Sequence, residues 1–216
     1  NAHVSGDALV SGNASVSGDA LFSGNAGVYG NAHVSGDAFV SGNASVSGNS
    51  HVNGDASVSG NAGVYGNSHV SGNANVSGNA GVYGNAGVSD NARVSGNARV
   101  YDNARVSGNS HVTADALVSG DARVYDYARV SGNARVYGNA SVSGNEDLLV
   151  IGPASSSGRY TSAYKDSVIG VRVSCGCFSG SVEQFELAIM ETHEDNEKFR
   201  KEYLGYVALI KCKFGL

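Results

Sequence analysis

A six-residue period runs without interruption from Asn1 to Gly144. The first unit reads Asn1-Ala2-His3-Val4-Ser5-Gly6 and the second Asp7-Ala8-Leu9-Val10-Ser11-Gly12, and twenty-four such units follow one another with no insertion. A composition of Gly, Asn, Ser, Ala and Val would ordinarily read as linker or disorder. The strict period argues otherwise, because a disordered chain has no reason to return a valine every sixth residue.

With the valine as position i, a small residue stands at i−2 (Ala2, Ala8, Ala14, or Ser50, Ser68 and Ser110). Positions i−2 and i share one side of an extended strand, so both face inward and i−1 and i+1 face out. Gly at i+2 and Asn or Asp at i+3 accept φ > 0 and supply a corner, where Asn or Asp can bond the local backbone. Each hexad is therefore a very short strand and a corner, and three hexads close a triangular rung of eighteen residues. Eight rungs at ~4.8 Å spacing make a prism roughly 38 Å long. One rung buries almost nothing by itself, so stability must come from stacking.

Residues eighteen apart are vertical neighbours. The outward i−1 positions form three columns, one of which holds His33, His51, His69, Arg105 and Arg123. On the face of a second column lie Tyr29, Tyr65, Tyr83, Tyr101 and Tyr137, beside Gly27, Gly63 and Gly81, which leave room for the rings. That tyrosine face is a candidate interface between subunits, since aromatic residues favour interfaces. Three histidines in a straight line do not encircle a tetrahedral ion, so no metal is expected. Arg93, Arg99, Arg105, Arg123, Arg129 and Arg135 belt the last three rungs. Arg105, Arg123, Arg129 and Arg135 are candidate contacts for a small anion. Duplex nucleic acid is excluded as a partner by a formal net charge of −5 and by the shortness of the belt. Glycine is missing from its corner at Asp90, Asp102, Ala114 and Asp126, and a local change of corner geometry is expected there.

The period ends at Asn145, which divides the chain into a repeat domain, 1–145, and a second domain, 146–216. Leu148–Ile151 reads as a strand, and Gly152 to Arg159 as a polar loop whose Ser155, Ser156, Ser157 and Arg159 offer donors to an anion. Tyr160–Tyr164 and Val168–Cys175 read as further strands, with Cys177–Gly180 turning the chain. Ser181 caps a helix running to about His193, and a second helix covers Glu197 to Lys211. The second domain is thus of α+β type. At about seventy residues it is marginal alone and should lean on the last rung. Cys175, Cys177 and Cys212, an odd count with one C-x-C pair, indicate reduced thiols and a cytoplasmic protein. No apolar run approaches the ~20 residues needed to span a membrane. Cys177, His193 and Arg159 are the only candidates for catalysis, and the intervening helix argues against Cys177 and His193 meeting within one subunit, which leaves contact across subunits open.

The repeat resembles the hexapeptide-repeat family, which implies a left-handed, triangular, mainly β parallel helix and assembly as a homo-oligomer, most often a trimer. The stretch from Ile151-Gly152-Pro153 through Arg159, Gly176-Cys177-Phe178-Ser179-Gly180, Phe185, His193 and Tyr203 resembles a small domain of phage and bacterial β-helical proteins. That resemblance implies a phage association, and location in the host cytoplasm if so, but brings no activity. With no loop excursion and no single outstanding histidine, the expectation is a non-enzymatic structural or interaction protein without cofactor, a rigid scaffold presenting its C-terminal domain. The alternative is a small-anion or nucleotide-binding, sequestering protein with sites at subunit boundaries, and an acyltransferase like the hexapeptide enzymes ranks third.

Overall fold

The computed structural model describes residues 2–155 and 158–216. Each hexad forms one two-residue strand, from β1 (His3–Val4) to β24 (Ser141–Val142). These sort into three parallel eight-stranded sheets, with one strand per sheet in every rung. The register is eighteen residues: Val28 pairs with Val46, and Val46 with Val64. The architecture is a parallel β-solenoid of about eight turns with a small α+β domain after it.

Alternation along each short strand decides what is inside. Every repeat valine from Val28 to Val142 is buried, as is the small residue two positions before it, including Ser50, Ser68 and Ser110. The first rung, with a neighbour on one side only, leaves Val4 49% and Val10 37% exposed. Corners are held by left-handed glycines. A Cβ on Gly18 (φ 73°) would stand 2.7 Å from the carbonyl oxygen of Gly36 in the rung above. Asp90, Asp102, Ala114 and Asp126 keep this same conformation, at φ 60°, 59°, 61° and 53°. The corner geometry expected to change there does not, because the rungs on either side fix the path of the chain. Asp90 and Asp102 offset part of the left-handed cost by accepting the amides of Gly108 (3.0 Å) and Gly120 (3.2 Å).

The corner asparagines bond from rung to rung instead of to the local backbone. Asn61 Nδ2 donates to Asn79 Oδ1 and Asn79 Nδ2 to Asn97 Oδ1, both at 3.0 Å. One ladder ends where Asn97 donates to Asp115 (2.9 Å), and another where Asn103 donates to Asp121 (3.1 Å). Identical amides stacked at strand spacing satisfy one another as donor and acceptor.

The second domain is an antiparallel sheet of β25 (Leu148–Ile151), β26 (Thr161–Asp166), β27 (Gly170–Cys175) and β28 (Phe178–Ser181), with α1 (Val182–Thr192) and α2 (Glu197–Phe214). Cys177–Gly180, expected to turn the chain, is mostly strand. The turn is the two-residue loop Gly176-Cys177, since Cys175 pairs with Phe178. Glycine first with positive φ (61°) is what a type II′ hairpin needs. Ser181 and Gln184 form a capping box on α1. Helix α2 runs past Lys211 to Phe214 and closes on left-handed Gly215.

The sheet covers the open end of the prism. The last rung has no rung above it to accept its amides, and side chains of the second domain take that place. Arg135 N donates to Ser162 Oγ (3.0 Å), Tyr137 N to Tyr164 Oη (3.1 Å) and Ser143 N to the Asp147 carboxylate (2.9 Å). Tyr164 is fully buried and belongs to the core of the prism. Among the described residues, no helix is long and apolar enough to cross a membrane.

Candidate ligand-binding site

The junction between prism and sheet places Arg135 and Arg159 together. Both main-chain groups of Arg135 are gripped by the sheet: its N–H donates to Ser162, and its carbonyl accepts Ser174 Oγ at 3.0 Å. Its guanidinium therefore points at the hairpin turn, with Nη1 3.5 Å from the Gly176 carbonyl oxygen. Arg159 reaches the same turn from the β25–β26 loop. A Cβ on Gly176 would lie 2.9 Å from Arg159 Cδ and 3.0 Å from its Nη1. Gly176 thus serves the turn and the close approach of the arginine at once.

Between them opens a recess of about 540 Å³, lined by Asp115, Asn133, Arg135, Arg159, Tyr160 and Cys177 among others. A second recess of about 140 Å³ adjoins it, and Arg159 and Cys177 line both. Its walls are Phe178, Phe185, Ile189 and Tyr203, with Thr192 at the end of α1 and His193 just beyond it. Phe178 and Phe185 lie 5.1 Å apart, and His193 stacks on Tyr203 at 5.2 Å. Cys177 and His193 therefore border one recess within a single chain. Helix α1 packs back across β27 and β28, so its end and the turn that carries the thiol line the same recess. The Cys177 thiol is exposed and Cys175 half-buried.

Two further basic side chains near the junction pair with carboxylates. Arg172 Nε meets Asp166 at 2.6 Å, and Lys165 meets Asp147 at 2.5 Å. Burial pushes the Asp166 carboxyl up, but Arg172 and the amides of Val168 and Ile169 outweigh it and hold the group below the usual carboxylate range. Asp147 behaves alike: burial opposes, and Lys165 and Ser143 prevail. Burial, with Glu202 beside it, pushes the Tyr206 phenol up to about 12.

The remaining candidates fall elsewhere. Ser155 donates through its N–H (2.8 Å) and its hydroxyl to Glu202, so a carboxylate of the chain already engages it. Ser156 and Ser157 lie outside the described residues. Arg105 and Arg123 are register neighbours on one face, above a groove of about 460 Å³ that also meets Asp90 and Asp126. Arg129 stands exposed on a different sheet. Tyr83 and Tyr101 stack at 5.1 Å and 4°. Tyr29 and Tyr65 instead fold over Gly27 and Gly63, and Tyr137 donates its hydroxyl to the Phe178 carbonyl (3.2 Å), joining prism to sheet. His33, His51 and His69 stack at 5.0 and 4.9 Å. Burial, then the neighbouring His69 and His33, lowers the His51 pKa. No group of three metal-ligating side chains occurs among the described residues. The two-lobed shape of the junction and its aromatic wall were not foreseen from sequence. The only signal was Phe178, Phe185 and Tyr203 flanking the candidate pair.

A parallel β-solenoid with an arginine-lined junction defines the class: the chain has a hexapeptide-repeat-like fold with a small α+β domain attached. A family model described as the YdcK beta solenoid repeat matches residues 98–113 and 128–144. Among solved structures, an Arabidopsis UDP-N-acetylglucosamine acyltransferase is 12% identical, with a TM-score of 0.34 over 69% of this chain and 71% of that one. A candidate acetyltransferase from Bacillus cereus is also 12% identical, with a TM-score of 0.30 over 98% of each chain. At these values the likeness is one of fold. No curated protein matches the chain. Both solved structures are titled as acyl-transferring proteins, which is said of them and not of this chain. The expectation of a non-enzymatic scaffold is corrected, because it rested on the regularity of the prism, and the recess that Cys177 and His193 border is built by the second domain.

Proposed function

We propose that the protein is an acyltransferase-like enzyme whose donor carries an anionic, phosphate-bearing handle held at the junction of prism and sheet. The observation that carries this reading is the convergence of Arg135 and Arg159 on the Gly176 turn, at a recess that continues past Cys177 into an apolar lobe. Two guanidinium groups lining one recess offer planar, forked donors to a shared anion, which arginine recognises bidentately. The handle lies on the arginines, the acyl group enters the apolar lobe, and the bond to be broken lies near Cys177 and His193, the groups able to accept an acyl group or a proton.

The test is binding of coenzyme A and acetyl-coenzyme A by calorimetry, with release of the free thiol as the activity readout. Arg159→Ala and Arg135→Ala should each weaken binding at least tenfold. Wild-type protein that binds neither compound, or variants that bind as the wild type does, would remove the reading. A second reading, binding of a small anion without chemistry, draws on Arg105 and Arg123, two like charges in direct register above their own groove. Tight anion binding without thiol release, lost in Arg105→Ala, would favour it.

The reading includes a homo-oligomer, a trimer by resemblance, in contact through the face of Tyr29, Tyr65, Tyr83 and Tyr101, and a cytoplasmic setting suited to three free thiols. Sedimentation as a monomer at micromolar concentration would remove the oligomer.

A further inference from the structure

We propose that the recess behind Cys177 is a size-limited acyl subsite, built by the second domain, that takes a benzene-sized or branched short-chain group. This rests on the junction being the donor site, and it adds which acyl group the donor carries. Three observations support it.

The first is size. The lobe measures about 140 Å³, similar in volume to a closed apolar cavity of roughly 150 Å³ in another protein that accepts benzene, but it opens to solvent at its mouth. Four to six carbons fill it, and a longer chain would extend past it without further burial.

The second is the wall. Phe185 is 4%, Ile189 3% and Tyr203 6% exposed, so the lobe is floored by side chains already fixed in the domain core. Phe185 and Tyr203 meet edge to face at 89°, an arrangement that offers both edge and face to an inserted ring. The polar groups of the wall, Arg159, Cys177, Thr192 and His193, come from the hairpin turn, the β25–β26 loop and the end of α1. A ligand entering from the arginines is thus anionic at one end and apolar at the other.

The third is continuity. Arg159 and Cys177 belong to both recesses, so one molecule can occupy both by passing the thiol. No part of the prism lines the apolar lobe. Acyl selection is therefore assigned to the second domain, and the prism contributes Arg135 and Asp115 to the polar recess.

The experiment compares acetyl-, isovaleryl-, benzoyl- and palmitoyl-coenzyme A in calorimetry against the full chain. Three added carbons, at ~0.8 kcal/mol per buried methylene, correspond to roughly fiftyfold tighter binding of isovaleryl than of acetyl. Benzoyl should match isovaleryl, and palmitoyl should gain nothing further. Ala188, half-buried in the wall, is the site for filling the lobe. Ala188→Leu should reduce the preference to about twofold and leave free coenzyme A unaffected. Thr192→Leu, at an exposed position, repeats the test should Ala188→Leu fail to fold. Equal binding of all four thioesters, or affinity that keeps rising to palmitoyl, overturns the proposal. Should no thioester bind, the donor reading fails separately. The lobe is then judged by whether benzoate slows alkylation of Cys177 by iodoacetamide, read on its own peptide by mass spectrometry. Protection of fivefold or more sustains the subsite, and an unchanged rate refutes it.

Discussion

Replacing Tyr164 tests whether the second domain closes the prism or merely follows it. The ring is fully buried among the core valines, and its hydroxyl accepts the amide of Tyr137 at 3.1 Å. Tyr164→Phe keeps the ring and removes the acceptor, so a buried N–H of the last rung loses its partner. That loss costs about 1–3 kcal/mol. Tyr164→Ala also opens a cavity, for a total of about 4 kcal/mol or more. In a chain of this length each kcal/mol lowers the melting temperature by about 2–4 °C. Urea unfolding followed by tyrosine circular dichroism gives the two free energies, and hydrogen exchange at the Tyr137 amide gives a local readout. Exchange there should accelerate in Tyr164→Phe while amides of the middle rungs, such as Tyr65, stay protected. A Tyr164→Phe variant within about 0.3 kcal/mol of wild type, with unchanged exchange at Tyr137, would refute the account of end closure.

Two further predictions concern stability. Asp166 and Asp147 have carboxyls held below their unfolded values. Their contribution is complete above about pH 4 and is lost as pH falls through the lower folded values. Calorimetric melting temperature should fall steeply below about pH 4, and Asp166→Asn should flatten that fall. An identical pH profile in the variant would count against the assignment. Ala114 holds φ 61° with no side-chain acceptor to recover the cost. Ala114→Gly relieves a left-handed penalty of about 1–2 kcal/mol and loses about 0.5–1 kcal/mol to chain entropy. A net gain of about 0.5–1 kcal/mol in urea unfolding is expected, and a loss would show that the corner is not strained.

The sequence by itself determined the prism. A valine every sixth residue with a small residue two places before it fixes which side chains face inward, and Gly at each corner fixes the turn, so eighteen-residue register and three sheets follow from period and sterics alone. The helix cap at Ser181 was equally local, since a cap is satisfied within four residues. The tertiary structure decided the rest. Rung-to-rung bonding of the asparagines appears only once the rungs stack, because donor and acceptor lie eighteen residues apart. Ser155 turns to Glu202, forty-seven residues away, and no local rule announces that pairing. Arg135 separated from Arg105, Arg123 and Arg129 because it lies on a different sheet of the prism, in the last strand of that sheet, where it meets the Gly176 turn. Cys177 and His193 came to border one recess because a helix folds back on the sheet that precedes it. Periodicity encodes contacts at a fixed spacing, and the junction is made of contacts at no fixed spacing, which is why the scaffold was legible and the site was not.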